Sequence, residues 1–240
     1  MKQITVLTAS QAFVYPSDAI RLSYLSLPHV IALIQQTFQF QVAQVTTPPP
    51  TFEPVRVTNP PGLVFQLGMA STETGDPVAI RMLAIDSERL VWQIAGAHSE
   101  RIDDLMRRLE TVCTTVPVED GTQLLGMPRR TEVYSELSFA LDVDIHTWYD
   151  HDPLLRIIAE ALSSQSDKDQ FLIPSLYLNP LQGNAQFSGS LQPWHGSRFT
   201  FELRQGASLA DNIFYSAAPL RTGVHIDLIR HIEQFLATGS

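Results

Sequence analysis

The heptapeptide Asp104-Leu105-Met106-Arg107-Arg108-Leu109-Glu110 returns as Asp227-Leu228-Ile229-Arg230-His231-Ile232-Glu233, 123 positions later in a chain of 240 residues. An offset of about half the length constrains the fold more than any local motif, because a unit written twice must fold twice. Other stretches follow the same offset. Leu90-Val91-Trp92 falls on Ile213-Phe214-Tyr215, and the helical residues 30–38 fall on 153–161. The strand-like residues 63–69 and 78–85 land near 186–192 and 201–208.

Periodicity gives each half the same order. In the first, residues 3–8 and 12–15 read as extended. Ser26 reads as the cap of a helix with Pro28 at an early position, where its missing N–H costs nothing. From Phe38 the period changes to two, which predicts a strand through Phe40 and Val42. Residues 63–69, 78–85 and 89–95 form three more strands, joined by turn chemistry at Gly75-Asp76-Pro77 and Asp86-Ser87-Glu88. Gly96 and Ser99 open a helix over 100–114, whose face of Ile102, Leu105, Met106, Leu109 and Val112 demands a sheet beneath it. The second half repeats the order with a strand over 133–146, a helix over 153–163, strands over 171–178, 185–191, 198–205 and 212–217, and a helix over 224–237. Residues 119–132 join the halves, giving units 1–118 and 133–240.

The expected fold is therefore α+β, internally duplicated as two β-α-β4-α units, with curved antiparallel sheets and helices on one face. Strand, helix, four strands, helix resembles the repeated half of the TATA-binding-protein saddle. The resemblance lies in element order, so it implies a fold and no function.

Composition narrows the partners. The net charge is −9, and the acidity is spread: residues 1–123 carry 8 basic and 12 acidic groups, residues 124–240 carry 8 and 13. Such a chain offers no footprint for a phosphate backbone, so nucleic acid is not expected as a partner. Cys113 is the single cysteine, in helical register with Leu109 and Met106, and reads as a core filler in a reducing compartment. The N-terminal run is too short and polar for a signal or spanning segment, and the expectation is a soluble, cytoplasmic protein with no membrane partner.

No P-loop, dinucleotide fingerprint or G-x-S-x-G setting is present, and no cofactor is implied. His225 and His231, six apart on the last helix, make no i, i+4 ligand pair. The first-half strands are apolar on both faces, with Val64, Leu83, Ile85 and Val91 expected on a second face that needs a cover. They are the predicted interaction surface of a non-catalytic assembly module that binds another protein or itself. Two alternatives have their own residues. A small-ligand pocket would be lined by Trp92, Trp148 and Trp194. A metal-dependent hydrolase would use Asp142, Asp144 and His146, spaced at two along one strand face. The bland reading of those carboxylates is a solvated strand face followed by Asp152 capping a helix at Pro153.

Overall fold

The computed structural model describes residues 3–46, 62–71, 75–118, 121, 123–143, 176–178, 199–207 and 211–238. Among them the chain is a mixed α+β protein built on one antiparallel sheet. Nine strands lie in the order β2-β3-β4-β5-β1-β6-β9-β8-β7. They are β1 Gln3–Val14, β2 Val42–Thr46, β3 Gly62–Ser71, β4 Pro77–Ile85, β5 Arg89–Ala95, β6 Arg130–Ala140, β7 Leu176–Leu178, β8 Phe199–Leu203 and β9 Ile213–Ala218. The described helices are α1 Leu22–Leu25, α2 Pro28–Phe38, α3 Glu100–Thr115 and α4 Thr222–Thr238.

The expected meander is present, with β3 paired antiparallel to β4 and β4 to β5. The N-terminal segment is not two extended runs. It is one twelve-residue strand at the centre of the sheet, paired with β5 on one side and β6 on the other. Its pairing with β6 joins the two halves edge to edge, and β6 already begins at Arg130, inside the expected linker.

Two hydrophobic clusters form on the same face of this sheet, because side chains paired across strands share a face. In the first, Phe13 of β1, Phe65 of β3, Leu83 of β4 and Trp92 of β5 pack under α2 and α3 with Ile34, Ile102 and Leu109. Phe38 meets the Trp92 ring edge-on at 5.1 Å. In the second, Leu137 and Phe139 of β6, Phe201 of β8 and Phe214 of β9 pack with Ile226 and Ile229 of α4. The rings of Phe201 and Phe214 stack at 5.2 Å.

Several local expectations are corrected. Phe38 ends α2 and does not begin a strand, which starts at Val42. The left-handed Gln39 (φ 51°) stops the helix and turns Phe40 into the core. Pro28 does sit at the first helical turn, but the residue before it is Leu27, with no side-chain cap; the Ser26 hydroxyl donates instead to Leu22 O at 2.7 Å. In β3 the ladder skips Leu67, which takes φ 57° and is 58% exposed, so Leu67 and Met69 do not continue the buried row of Leu63 and Phe65. Gly68 then returns to the core face, where a Cβ would lie 2.6 Å from the Phe40 ring.

The strict offset of 123 also misplaces β9. Trp92 faces the helices, whereas Tyr215 pairs with Ser138 and Glu202 on the opposite face. A shift of one residue restores the match, Leu90 with Phe214. Residues 153–161 and 186–192 themselves lie outside the described residues.

Candidate binding face and the junction of the halves

No described helix packs on the second face of the sheet. The strand registers place there Val42 and Gln44, Val64 and Gln66, Met82 and Ala84, Val91 and Gln93, the even-numbered residues 8–14 of β1, and Glu132, Tyr134 and Glu136 of β6. At its centre, Thr8, Ser10 and Ala12 are small and buried, paired with Ala95, Gln93 and Val91 of β5 and with Glu136, Tyr134 and Glu132 of β6. On the first-half side, Val42, Val64, Met82 and Ala84 are half-buried and Met69 is 43% exposed. On the second-half side, Tyr134, Tyr215 and Glu136 hydrogen-bond to one another, and Arg204 Nη1 donates to Ser138 Oγ at 3.2 Å. Burial, then the negative charge of Glu136, pushes the Tyr134 hydroxyl up; burial likewise raises Tyr215, so both stay neutral donors.

The expected interaction surface is split by the registers. Val64 and Val91 lie on the face that no described helix covers, Val64 half-buried and Val91 buried. Leu83 pairs with Phe65 and Trp92, and Ile85 with Leu63 and Leu90, so both belong to the core beneath α2 and α3. Turns at both ends of β4 reverse the strand without preserving which parity faces inward, so period two alone could not assign them. The residues that do flank Val64 are Met82 and Ala84.

The other candidates separate. Trp92 is wholly buried among Phe38, Phe40 and Leu83 and lines no described cavity, while Trp148 and Trp194 lie outside the described residues. Strand β6 ends at Ala140, short of the expected 146. Asp142 is therefore an exposed residue at a bend, its backbone N–H donating to Glu233 Oε1 at 2.7 Å. Asp144 and His146 lie outside the described residues. Among the described residues no group of three metal-ligating side chains forms.

The junction on the helix side holds polar groups that periodicity did not reveal. Ser99, at the start of α3, donates its N–H to Thr222 Oγ1 at 2.9 Å, and Thr222, at the start of α4, donates its N–H to Ser99 Oγ at 2.9 Å. Both residues are fully buried, and they are 123 positions apart. Arg221 donates to Asp103 of α3 at 2.7 Å, and Gln11 of β1 donates to the same carboxylate at 3.2 Å.

His225 of α4 is fully buried, with Nδ1 2.8 Å from Ser135 Oγ and Nε2 2.9 Å from Ser216 Oγ. Each serine also donates to a carbonyl, Ser135 to Leu220 O at 2.9 Å and Ser216 to Thr200 O at 2.7 Å. A hydroxyl has one proton. If both protons go to carbonyls, both ring nitrogens must carry N–H, which is the imidazolium. Burial pushes the His225 pKa down to about 4, so the ring is neutral at pH 7 and one serine turns its proton to the bare nitrogen. A serine beside a histidine suggests a nucleophile, but Ser135 and Ser216 are both fully buried, and no substrate reaches them. His225 stands 123 positions after Ile102, a core residue, and that equivalence was the signal in the sequence that could have marked it as buried.

Comparison with protein-family models and with curated proteins found no match. No helix among the described residues is long and apolar enough to cross a membrane.

Proposed function

We infer that this protein is a non-catalytic binding module that receives another protein on the face of its sheet that no described helix covers. The observation that carries the reading is the strip of Val42, Val64, Met82 and Ala84 continuing to exposed Met69, with no described helix over it. An aliphatic strip beside a tyrosine and carboxylate cluster has the composition of an interface: a desolvated apolar centre with amphipathic side chains that keep a polar end.

Internal duplication is part of this reading. Ser99 and Thr222 hold each other by the same two atoms in exchanged roles, the pattern of a contact across a two-fold axis. The heptapeptide supports it too, since Asp104 pairs with Arg107 and Asp227 with Arg230 at the same i, i+3 spacing. Arg108 donates to Ser71 O at 2.6 Å and lies over the Phe38 ring. Element order in residues 1–118 is the support for the saddle-like likeness, and the net charge of −9 argues against any nucleic-acid role for it. Buried, neutral Cys113 suits the reducing, cytoplasmic location that completes the proposal.

The test is a Val64→Glu, Met82→Glu variant of the full chain. It should keep its melting temperature within a few degrees, because both side chains are half-exposed, and lose the partner that the wild type binds. A partner that binds the variant as tightly as the wild type overturns the reading. Concentration-dependent dimerisation abolished by the same variant identifies the partner as a second copy.

A further inference from the structure

A different surface lies at the edge of the sheet, where β2 stands outermost and, among the described residues, pairs with β3 alone. An edge strand is a row of unpaired N–H and C=O groups, and proteins blunt it by shortening it or by placing charge, proline or a bulge there. At the opposite edge, β7 is three residues long. No such device protects β2: Val42-Ala43-Gln44-Val45-Thr46 is of ordinary length, carries no charge and no proline, and keeps an unbroken register with β3.

The hydrogen-bond phase shows which groups are open. Gln41 donates its N–H to Leu67 O at 3.3 Å, so position 41 is bonded to β3, and positions 43 and 45 follow it along the antiparallel ladder. The backbone N–H and C=O of Val42, Gln44 and Thr46 therefore point away from β3. The Gln44 side chain is exposed, as is Val45 on the other face.

Charge decides what such an edge can meet. Residues 22–46, which run through α1, α2 and β2, contain no aspartate, glutamate, lysine or arginine, although 17% of the chain is charged. The helix α2 packs over β2 and β3, and its exposed Ala32 and Gln36, with Gln39 just beyond, are neutral. A net charge of −9 sets two copies of this chain against each other, and this end is where they approach without opposed carboxylates. The edge is also self-complementary. Turned about a two-fold axis at Gln44, an identical strand sets Gln44 against its own counterpart and Val42 against Thr46. All of these are outward-pointing positions, so each pair exchanges both of its backbone hydrogen bonds. Val45 then lies beside Ala43, an apolar pair with no like charges opposed.

We propose that the β2 edge is a homodimer contact, in which a second copy pairs antiparallel along Val42–Thr46 and the two sheets become one. The contact is separate from the face that receives a partner in the reading above. Val64 and Met82 lie one and two strands inside the edge, so the Val64→Glu, Met82→Glu variant still dimerises.

The test is sedimentation velocity of the full chain from micromolar to submillimolar concentration. The wild type should pass from the 26.8 kDa monomer to a dimer as concentration rises. Gln44→Lys and Gln44→Glu each oppose like charges across the axis and should weaken the dimer about fivefold or more, and an equimolar mixture of the two variants should restore it as a heterodimer. Gln44→Pro removes an N–H that β3 does not use, and should abolish dimerisation with the melting temperature kept within a few degrees. A wild type that stays monomeric throughout leaves the edge to a strand of another protein and overturns the proposal. So does a dimer that survives Gln44→Pro, or a mixture of the two charged variants no tighter than either alone. A dimer that Val64→Glu, Met82→Glu abolishes lies on the face and not the edge, which overturns it as well.

Discussion

The two long helices face the sheet with different chemistry at the same position. In α3, Ile102 fills the place with hydrocarbon and rests in an apolar cluster. In α4, 123 positions on, His225 fills it with an imidazole held between two serines. The volumes are similar and both side chains are fully buried, so packing is solved in both halves. What differs is directionality. An aliphatic side chain tolerates small shifts of helix over sheet. An imidazole bonded at both nitrogens fixes α4 against β6 and β9 together, at the cost of a proton arrangement that cannot satisfy all four bonds while the ring is neutral.

The largest effect expected is from truncation at these two positions. His225→Ala and Ile102→Ala should each lower the free energy of unfolding by ~3 kcal/mol, the first by leaving polar groups without a partner, the second by opening a cavity. Urea denaturation measures both, and a cost below ~1 kcal/mol for His225→Ala would show the network to be incidental.

Acid should then separate them. A histidine whose folded pKa is about 4, below its unfolded value near 6.5, leaves the folded protein with fewer bound protons than the unfolded chain between those pH values. Stability is therefore lost as pH falls from about 6.5 to about 4, by ~3 kcal/mol for this one group. The difference in stability between wild type and His225→Ile, followed over pH 4–7, should carry that slope. A pH-independent difference would contradict the buried neutral state.

The exchanged hydrogen bonds of Ser99 and Thr222 come next. Ser99→Ala and Thr222→Val should each cost ~1–2 kcal/mol by stranding a buried N–H, with a coupling of ~0.5 kcal/mol or more in the double-mutant cycle. Strict additivity would mean that the two helix starts do not act as one contact. Asp103→Asn should matter least. Its ion pair with Arg221 joins groups 43% and 39% exposed, and a loss below ~1 kcal/mol that shrinks further in high salt is expected.

What the sequence revealed and concealed follows from the range of the interactions. The helices α3 and α4 and the β3-β4-β5 meander were legible because their periodicity and turns are local. The extent of β1 was not, since Ala9, Gln11 and Phe13 carry no clean alternation in a strand buried on both faces. The start of β2 was misplaced, read from Phe38 and not from Val42, because Phe40 continues an apolar period after a left-handed Gln39 has already broken the helix. For the candidate surface, Leu83 and Ile85 were placed on the wrong face, because which parity of β4 faces inward depends on its pairing with β3 and β5. His225, Ser135 and Ser216 lie on three elements spanning 90 positions, and nothing local marks such a contact.

The central place of β1 bears on how the chain reaches its fold. Strand β1 pairs with β5 some 80 residues later, as in Phe13 with Leu90, and with β6 well over a hundred later, as in Val14 with Arg130. Loops of that length make such pairings slow to close. Residues up to the end of α3 hold every buried residue of the first cluster except Val116, Leu124 and Leu125, so that half can condense as it emerges. Until β6 arrives, β1 then presents a long unpaired edge. The second half completes its sheet by templating on an edge already formed, a sequential assembly in which the early half acts as the nucleus for its neighbour.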